Sequence, residues 1–221
     1  MSWNEDDQYY YEQEAAKDEF IEEISHQAIS EFSNDRLRSF YEQNPDVMRP
    51  AIDALQEGKK LYDLNRYSAS LVFSMTCIEL LLKATILKPI VSGVVHHEAL
   101  AAIIVKHALG QTGFDRYKEL LETLISTFTN LELKNISRDE QSSKLFNECK
   151  ELQDIRNGII HRGEVCTEGD AEKALRVSVA VYTLIVVPII EALNLKVGER
   201  GAIGPAYFYR DSPAYDPFHS P

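Results

Sequence analysis

Residues 67–87 are apolar on nearly every side of a helix and carry only two charged side chains, Glu79 and Lys83. A helix of this kind must be covered by other elements in the fold. The other long segments repeat apolar residues with a helical period, and neither a set of strands nor a repeat of 20–50 residues is evident. The sequence therefore predicts an all-α fold, an antiparallel bundle of helical hairpins around residues 67–87.

Proline and capping patterns place the helix ends. Asn44-Pro45 is predicted to end an acidic first helix and Pro89 to end the third, because proline lacks an N–H donor and clashes with the preceding turn. A second helix is expected at about 50–64, and further helices at about 97–109 and 115–131.

Two further helices begin at capping sequences. Ser137-Arg138-Asp139-Glu140 matches a capping box and predicts a helix of about 24 residues that stops near Gly163. Thr167-Glu168-Gly169-Asp170 is predicted to begin the last long helix, which Pro188 kinks. These boundaries divide the chain into three segments: an acidic helical segment at 1–44, a helical bundle at 45–195, and an irregular Gly/Pro/aromatic-rich tail at 196–221.

Several kinds of chemistry lack a sequence signature. No phosphate-binding Gly-x4-Gly-Lys-Ser/Thr loop or Gly-x-Gly-x-x-Gly fingerprint is present. The histidines of His96-His97-Glu98 and His107 do not match a zinc spacing, so we predict neither a metal nor another cofactor. Three unpaired cysteines and an acidic N-terminus without a signal-peptide pattern favour a cytoplasmic protein. The apolar run at 177–190 is too short to predict a membrane partner.

The most chemically specific sequence is the hexapeptide Arg156-Asn157-Gly158-Ile159-Ile160-His161. At about 100° per residue, Arg156, Asn157 and His161 fall within an arc of about 140°, opposite Leu152, Ile155 and Ile159. An arginine fork matches phosphate oxygens, and an imidazole can move protons near neutral pH. This surface is therefore predicted to bind a phosphodiester and to carry acid–base chemistry.

A purely structural role for the same residues remains open. Arg156 can pair with a carboxylate such as Glu164 or Asp154. His161 can stabilise the C-terminal end of its helix, where the helix dipole favours a cation.

The hexapeptide resembles the Arg-x4-His motif of HEPN domains (higher eukaryotes and prokaryotes nucleotide-binding), and the polar Asn157 after the arginine also fits that pattern. The resemblance covers roughly residues 50–195. It implies a metal-independent endoribonuclease in which two copies of the motif meet across a homodimer interface. His161 would assist attack of a ribose 2′-hydroxyl on the adjacent phosphate, leaving a 2′,3′-cyclic phosphate, and Arg156 would stabilise the charge of the transition state.

The resemblance also bears on biological role and on supporting residues. It implies a toxin, or a defence protein against phage or other foreign elements, with RNA as substrate and an antitoxin or regulatory protein as a possible partner. Glu79 would lie beside the motif helix and orient Arg156 or His161, although its spacing from Lys83 equally suits a simple ion pair. Gly163 stands where some members carry a tyrosine that a partner enzyme modifies. The rival hypothesis is a catalytically silent dimerisation or RNA-binding module.

Residues 1–35 hold eleven acidic residues and one lysine, which accounts for −10 of the chain's formal charge of −12. The rest of the chain is close to neutral and can carry a local basic patch. The stripe of Ile21, Ile24, Ala28 and Phe32 is predicted to dock on the body. This segment either guards the RNA surface by imitating phosphate charge or serves only to keep the protein soluble.

Overall fold

A computed structural model describes residues 5–95, 103–104, 118, 121–123, 125, 131–139, 143–209 and 215–217, and within the first helix the side chains of residues 17, 19–24 and 31–43. The helices of these residues, labelled in chain order, are α1 (Glu5–Gln43), α2 (Arg49–Asp63), α3 (Tyr67–Glu79), α4 (Lys88–Val94), α5 (Leu145–Arg162), α6 (Glu168–Val181) and α7 (Val187–Ala192). Two π-helices, Leu80–Leu87 and Tyr182–Val186, join α3 to α4 and α6 to α7. The predicted all-α class is confirmed.

The core is built from two helical hairpins. Helix α2 turns into α3 through residues 64–66, and Gly58 of α2 contacts Ser70 and Ser74 of α3. Helix α5 turns into α6 through residues 163–167. Helices α3 and α6 run in the same direction, because Cys166 N donates to Ser68 Oγ (3.2 Å) and Ser178 Oγ donates to the Ser74 carbonyl (3.0 Å). Helix α5 packs against both of them.

Local signals are confirmed at two of the predicted boundaries. Helix α1 ends at Gln43, directly before Asn44-Pro45. Helix α6 begins at a capping box in which Thr167 Oγ1 accepts from the Asp170 N–H and the Asp170 carboxylate accepts from the Thr167 N–H. The helices predicted at 97–109 and 115–131 lie largely outside the described residues. Of those described within them, residues 103, 104, 118, 121–123 and 125 are helical, and residue 131 is not.

The prediction that Pro89 ends the third helix is wrong, since helical structure continues to Val94. The wider π-helix ahead of the proline relieves the clash with the preceding turn. Pro89 has no N–H to offer to the Thr85 carbonyl four residues earlier. That carbonyl instead accepts the hydroxyl of the buried Tyr41, at 2.6 Å. Pro188, where a kink is predicted, also follows a π-helix by two residues.

The motif helix also begins later than predicted. Ser137 does not cap it; its backbone forms an isolated antiparallel bridge with Lys144, and α5 starts at Leu145. The sequence prediction failed because a capping box is a local pattern, whereas here Leu145 N donates to the Ile136 carbonyl at 2.9 Å across the bridge, so the backbone at Ser137 is strand-like rather than helical.

The chain after α7 differs from the irregular tail predicted at 196–221. Strands β1 (Leu195–Val197) and β2 (Ile203–Pro205) form an antiparallel hairpin in which Val197 pairs with Ile203. Ile203 N donates to the Pro45 carbonyl at 2.8 Å, and the hairpin tip packs on Ile52 of α2. Strands of three residues are too short to show an alternating pattern in sequence.

Two helical stretches, Tyr67–Gly93 and Glu168–Ala192, are long and apolar enough to cross a membrane. In both, 61% of the apolar window is buried inside the structure. Length and apolarity alone do not distinguish a membrane span from the core helix of a bundle, so the expectation of a protein without a membrane partner stays a prediction.

Candidate functional site

The predicted site lies in the last two turns of α5. The buried side chains in the preceding turns include Cys149, Leu152 and Gln153. At about 100° per residue, Arg156 is within about 60° of each of them around the helix axis, so it continues the core-facing stripe. Its side chain is accordingly half-buried. The expectation that Arg156 lies opposite the core is therefore wrong, since Leu152, one of the apolar residues of that core-facing arc, is only about 40° from it around the helix.

His161 lies on a different side of α5. It is exposed, and it lies about 140° around the axis and about 7.5 Å along it from Arg156. Arg156 Nη1 donates to Asn157 Oδ1 at 3.3 Å. Within the described residues, no hydrogen bond or ion pair joins His161 to either of them. The structure therefore brings Arg156 and Asn157 together, and leaves His161 apart within one copy of the chain.

The structural alternative for Arg156 was a carboxylate partner. Glu164 is instead paired with Arg162, whose Nε and Nη2 donate to its two carboxylate oxygens at 2.6 and 3.1 Å. The hydrogen bond from Arg162 lowers the pKa of Glu164. Across the described part of the chain, Arg156 forms no ion pair with Glu164, Asp154 or any other carboxylate. The carboxylate pairing proposed as the structural alternative for Arg156 is therefore not found among the described residues.

The structural alternative for His161 remains open. Together with Arg162 it lies in the last turn of α5, where the exposed carbonyl groups favour a cation.

Gly158 is a residue of the motif whose role the sequence analysis missed. It is buried in the middle of a turn of α5, and a Cβ at this position would collide with the Glu164 carboxylate. The helix ends at Gly163 in a left-handed conformation (φ 66°), and Glu164 N returns to the Gly158 carbonyl at 3.3 Å. A glycine inside a helix costs about 1 kcal/mol relative to alanine. A glycine within this helical segment is therefore the sequence feature that points to close packing at position 158.

Glu79 and Lys83 lie at the junction of α3 and its π-helix. Lys83 Nζ is 3.9 Å from Glu79 Oε2, and their side chains are 13% and 27% exposed respectively. Helix α3 packs against α5, as the supporting role requires. Among the described residues no hydrogen bond or ion pair joins Glu79 to Arg156 or His161, so an orienting role for Glu79 stays a prediction.

A second charged cluster on α5 was not predicted at all. Glu148 is only 2% exposed, and it accepts Nε and Nη2 of Arg138 at 2.8 and 2.7 Å. Lys173 Nζ lies 3.9 Å from the same carboxylate. The hydrogen bonds with Glu148 raise the pKa of Arg138. The signal in the sequence was a glutamate four residues before Leu152, on the apolar stripe of the helix.

A cavity of about 400 Å³ lies beside this second cluster, along α6. Its lining includes Arg138, Arg176 and Asp216 but no residue of the motif. Within the part of the chain that the structure describes, no three His, Cys, Asp or Glu side chains are grouped so that they could hold a metal ion. The histidines at 96, 97 and 107 lie outside the described residues.

Comparison with known proteins finds no relative that bears on this site. No protein-family model matches the chain, and neither a curated protein nor a solved structure is significantly similar to it. The resemblance to HEPN domains therefore rests on the hexapeptide and on its position late in a helical bundle, before a short loop and a final long helix.

Proposed function

We propose that the protein is a metal-independent endoribonuclease of HEPN type. The observation that carries the proposal is the state of Arg156: a half-buried arginine whose guanidinium forms no carboxylate pair within the described residues. Burying part of a charge without an opposite charge is unfavourable unless a partner arrives. A phosphate with its planar oxygen pairs matches the guanidinium fork.

The chemistry divides between two residues. His161 is exposed and can accept the proton of a ribose 2′-hydroxyl, whose oxygen attacks the adjacent phosphorus and expels the 5′-oxygen of the next nucleotide. Arg156 stabilises the charge that develops on the phosphoryl oxygens, and Asn157 steadies its guanidinium. The substrate is RNA, because DNA lacks the 2′-hydroxyl. The products are a 2′,3′-cyclic phosphate and a 5′-hydroxyl.

A homodimer reconciles this chemistry with the separation of the two side chains. Arg156 and His161 lie about 140° apart around one helix, so a single copy does not direct both at one phosphate. Two motif ends facing each other across a two-fold axis would combine His161 of one copy with Arg156 of the other. Ile160, 46% exposed and between them in sequence, supplies an apolar contact for such an interface.

The same separation supports a second candidate, a catalytically silent dimerisation or RNA-binding module. In that case Arg156 and its neighbours bind phosphate, and His161 only stabilises the end of α5. The resemblance extends the first candidate to a cytoplasmic toxin or defence protein with an antitoxin or regulatory protein as possible partner, and the second to a module of a larger defence or toxin–antitoxin system.

The two candidates separate in one RNA-cleavage experiment. Purified protein is incubated with total RNA in excess EDTA, beside His161→Ala, Arg156→Ala and the control Arg162→Ala, which removes the neighbouring exposed arginine. The enzyme hypothesis expects 2′,3′-cyclic phosphate ends, a loss of about 10²–10⁴ in rate for His161→Ala, and near-normal rates for Arg162→Ala. RNA binding without cleavage supports the silent module. Products with 5′-phosphates, or cleavage that persists in both motif variants, contradict the proposed site.

A further inference from the structure

Helix α1 is the longest of the described helices. Its 39 residues span about 58 Å at 1.5 Å per residue. Among the described residues, its buried contacts lie near its C-terminal end, where Leu37 and Tyr41 are buried and Gly93 of α4 lies against Leu37. The described side chains from Lys17 to Ile24 are exposed, with position 18 not described.

The apolar stripe on this helix faces away from the bundle, so the prediction that it docks on the body is wrong. Ile21, Ile24 and Phe32 are 51%, 49% and 53% exposed. At about 100° per residue, Ile21 lies about 160° around the helix from Leu37, and Phe32 lies about 180° from Tyr41. The sequence showed the stripe but not which side of α1 the bundle covers. Ala28, its fourth member, lies outside the described side chains.

The charge around the stripe decides what kind of partner fits it. Residues 5–32 hold ten acidic side chains and a single lysine, a formal charge of −9. Glu22 and Glu31 lie on the two flanks of the stripe, about 100° and about 80° from Ile21, and both are exposed. A second copy of the same helix would bring another segment with a formal charge of −9 against these flanks, and like-charge repulsion disfavours this. An anionic lipid surface is disfavoured for the same reason.

We propose that the outward face of α1 is a docking surface for a basic amphipathic helix of a protein partner. The partner's apolar residues pack on Ile21 and Ile24, and its lysines and arginines lie against the acidic flanks, as at the flanking positions of a coiled coil. The surface is separate from the motif on α5, and it does not depend on ribonuclease activity.

The full-length chain can be tested with a designed peptide of about 25 residues that is helical, apolar on one stripe and lysine-rich elsewhere. Its dissociation constant is measured by fluorescence anisotropy, in the absence of RNA. Ile21→Gln/Ile24→Gln is expected to weaken binding at least about tenfold, because it removes the buried contact. Glu22→Gln/Glu31→Gln, which neutralises one acidic residue on each flank, is expected to weaken it several-fold at low salt, with the difference disappearing at high salt.

Three controls make the test decisive. Leu64→Gln removes an exposed leucine of the bundle (67% exposed) and should leave binding unchanged. A peptide of the same composition with its stripe scrambled should bind at least about tenfold more weakly. Circular dichroism checks that each variant keeps its helix content. Equal binding of the scrambled peptide, or equal losses in Leu64→Gln and Ile21→Gln/Ile24→Gln, would overturn the proposal.

Two other outcomes would assign the surface to a different occupant. A dimer by light scattering that Ile21→Gln/Ile24→Gln abolishes would show that a second copy covers the stripe. Co-sedimentation with phosphatidylcholine vesicles that the same variant abolishes, without peptide binding, would assign the stripe to a lipid surface. Either result would contradict docking of a basic helix.

Discussion

Two charged residues on α5, Glu148 and Arg156, lie eight positions apart and have opposite surroundings. Glu148 is almost fully buried and is matched by a two-pronged hydrogen bond from Arg138 and by Lys173. Arg156 is half-buried, and its hydrogen bond within the described chain goes to the neutral Asn157. The first arrangement satisfies its charge inside the fold. The second has no carboxylate partner among the described residues.

This difference teaches how to separate stability from function along one helix. Removing one partner of a buried ion pair leaves the other charge buried and unmatched, which is strongly destabilising. Removing a charge that has no opposite partner leaves nothing unmatched behind it. Substitutions at the Glu148 cluster should therefore affect folding, and substitutions at Arg156 should leave folding largely unchanged and, under the proposed function, slow RNA cleavage.

The largest expected difference in stability is between two arginine-to-alanine variants. Arg138→Ala should lower the free energy of unfolding by about 3 kcal/mol, the lower part of the range for breaking a buried pair, because Lys173 remains near Glu148. Arg156→Ala should lower it by less than about 1 kcal/mol. Urea unfolding followed by circular dichroism measures both. Comparable losses in the two variants would contradict the difference between the matched Glu148 cluster and Arg156.

The second prediction replaces both partners of the buried pair. Arg138→Met/Glu148→Leu leaves no unmatched charge in the core, and apolar replacement of a buried pair is often close to neutral. The double variant should therefore be about 2 kcal/mol more stable than Arg138→Met alone. A double variant that is less stable than the single one would show that packing at Glu148, rather than its charge, sets the cost. The same urea titration measures this.

The sequence predicted those parts of the fold that local chemistry decides. The stop at Asn44-Pro45 and the cap at Thr167 depend on residues within a few positions of each other, and they are found where expected. The helical position of the motif in α5 and its end at Gly163 were also predicted.

The parts that were missed depend on contacts distant in sequence. Pro89 remains inside a helix because Tyr41, 44 residues away from Thr85, supplies a donor to the free carbonyl. The hairpin after α7 is held partly by Pro45, which pairs with Ile203 at the far end of the chain. No local pattern carries this information.

The third prediction extends the comparison to a buried neutral group, the Tyr41 hydroxyl, whose hydrogen bond is satisfied inside the fold. Tyr41→Phe removes the hydroxyl that the Thr85 carbonyl accepts at 2.6 Å, in a position where Pro89 offers no replacement. The free energy of unfolding should fall by about 1–2 kcal/mol, less than for Arg138→Ala because no charge is left unmatched. Tyr62→Phe is the matched control, since its hydroxyl meets Glu168 at the surface at 3.3 Å. Its urea midpoint should not change, and equal shifts in both would contradict the assignment.

The smallest expected effect on stability is that of a substitution at Gly158, two residues after Arg156 in the motif. Alanine inside a helix is favoured over glycine by about 1 kcal/mol. A Cβ here would push the Glu164 carboxylate away from Arg162, whose exposed pair contributes little because water screens it. Gly158→Ala should therefore gain less than that propensity difference, and thermal unfolding should shift upward by a few degrees at most. Glu164→Ala is the control, because it removes the pair without changing the backbone. A marked loss of stability in Gly158→Ala alone would mean that the close approach at Gly158, rather than the exposed pair, fixes the end of the motif helix.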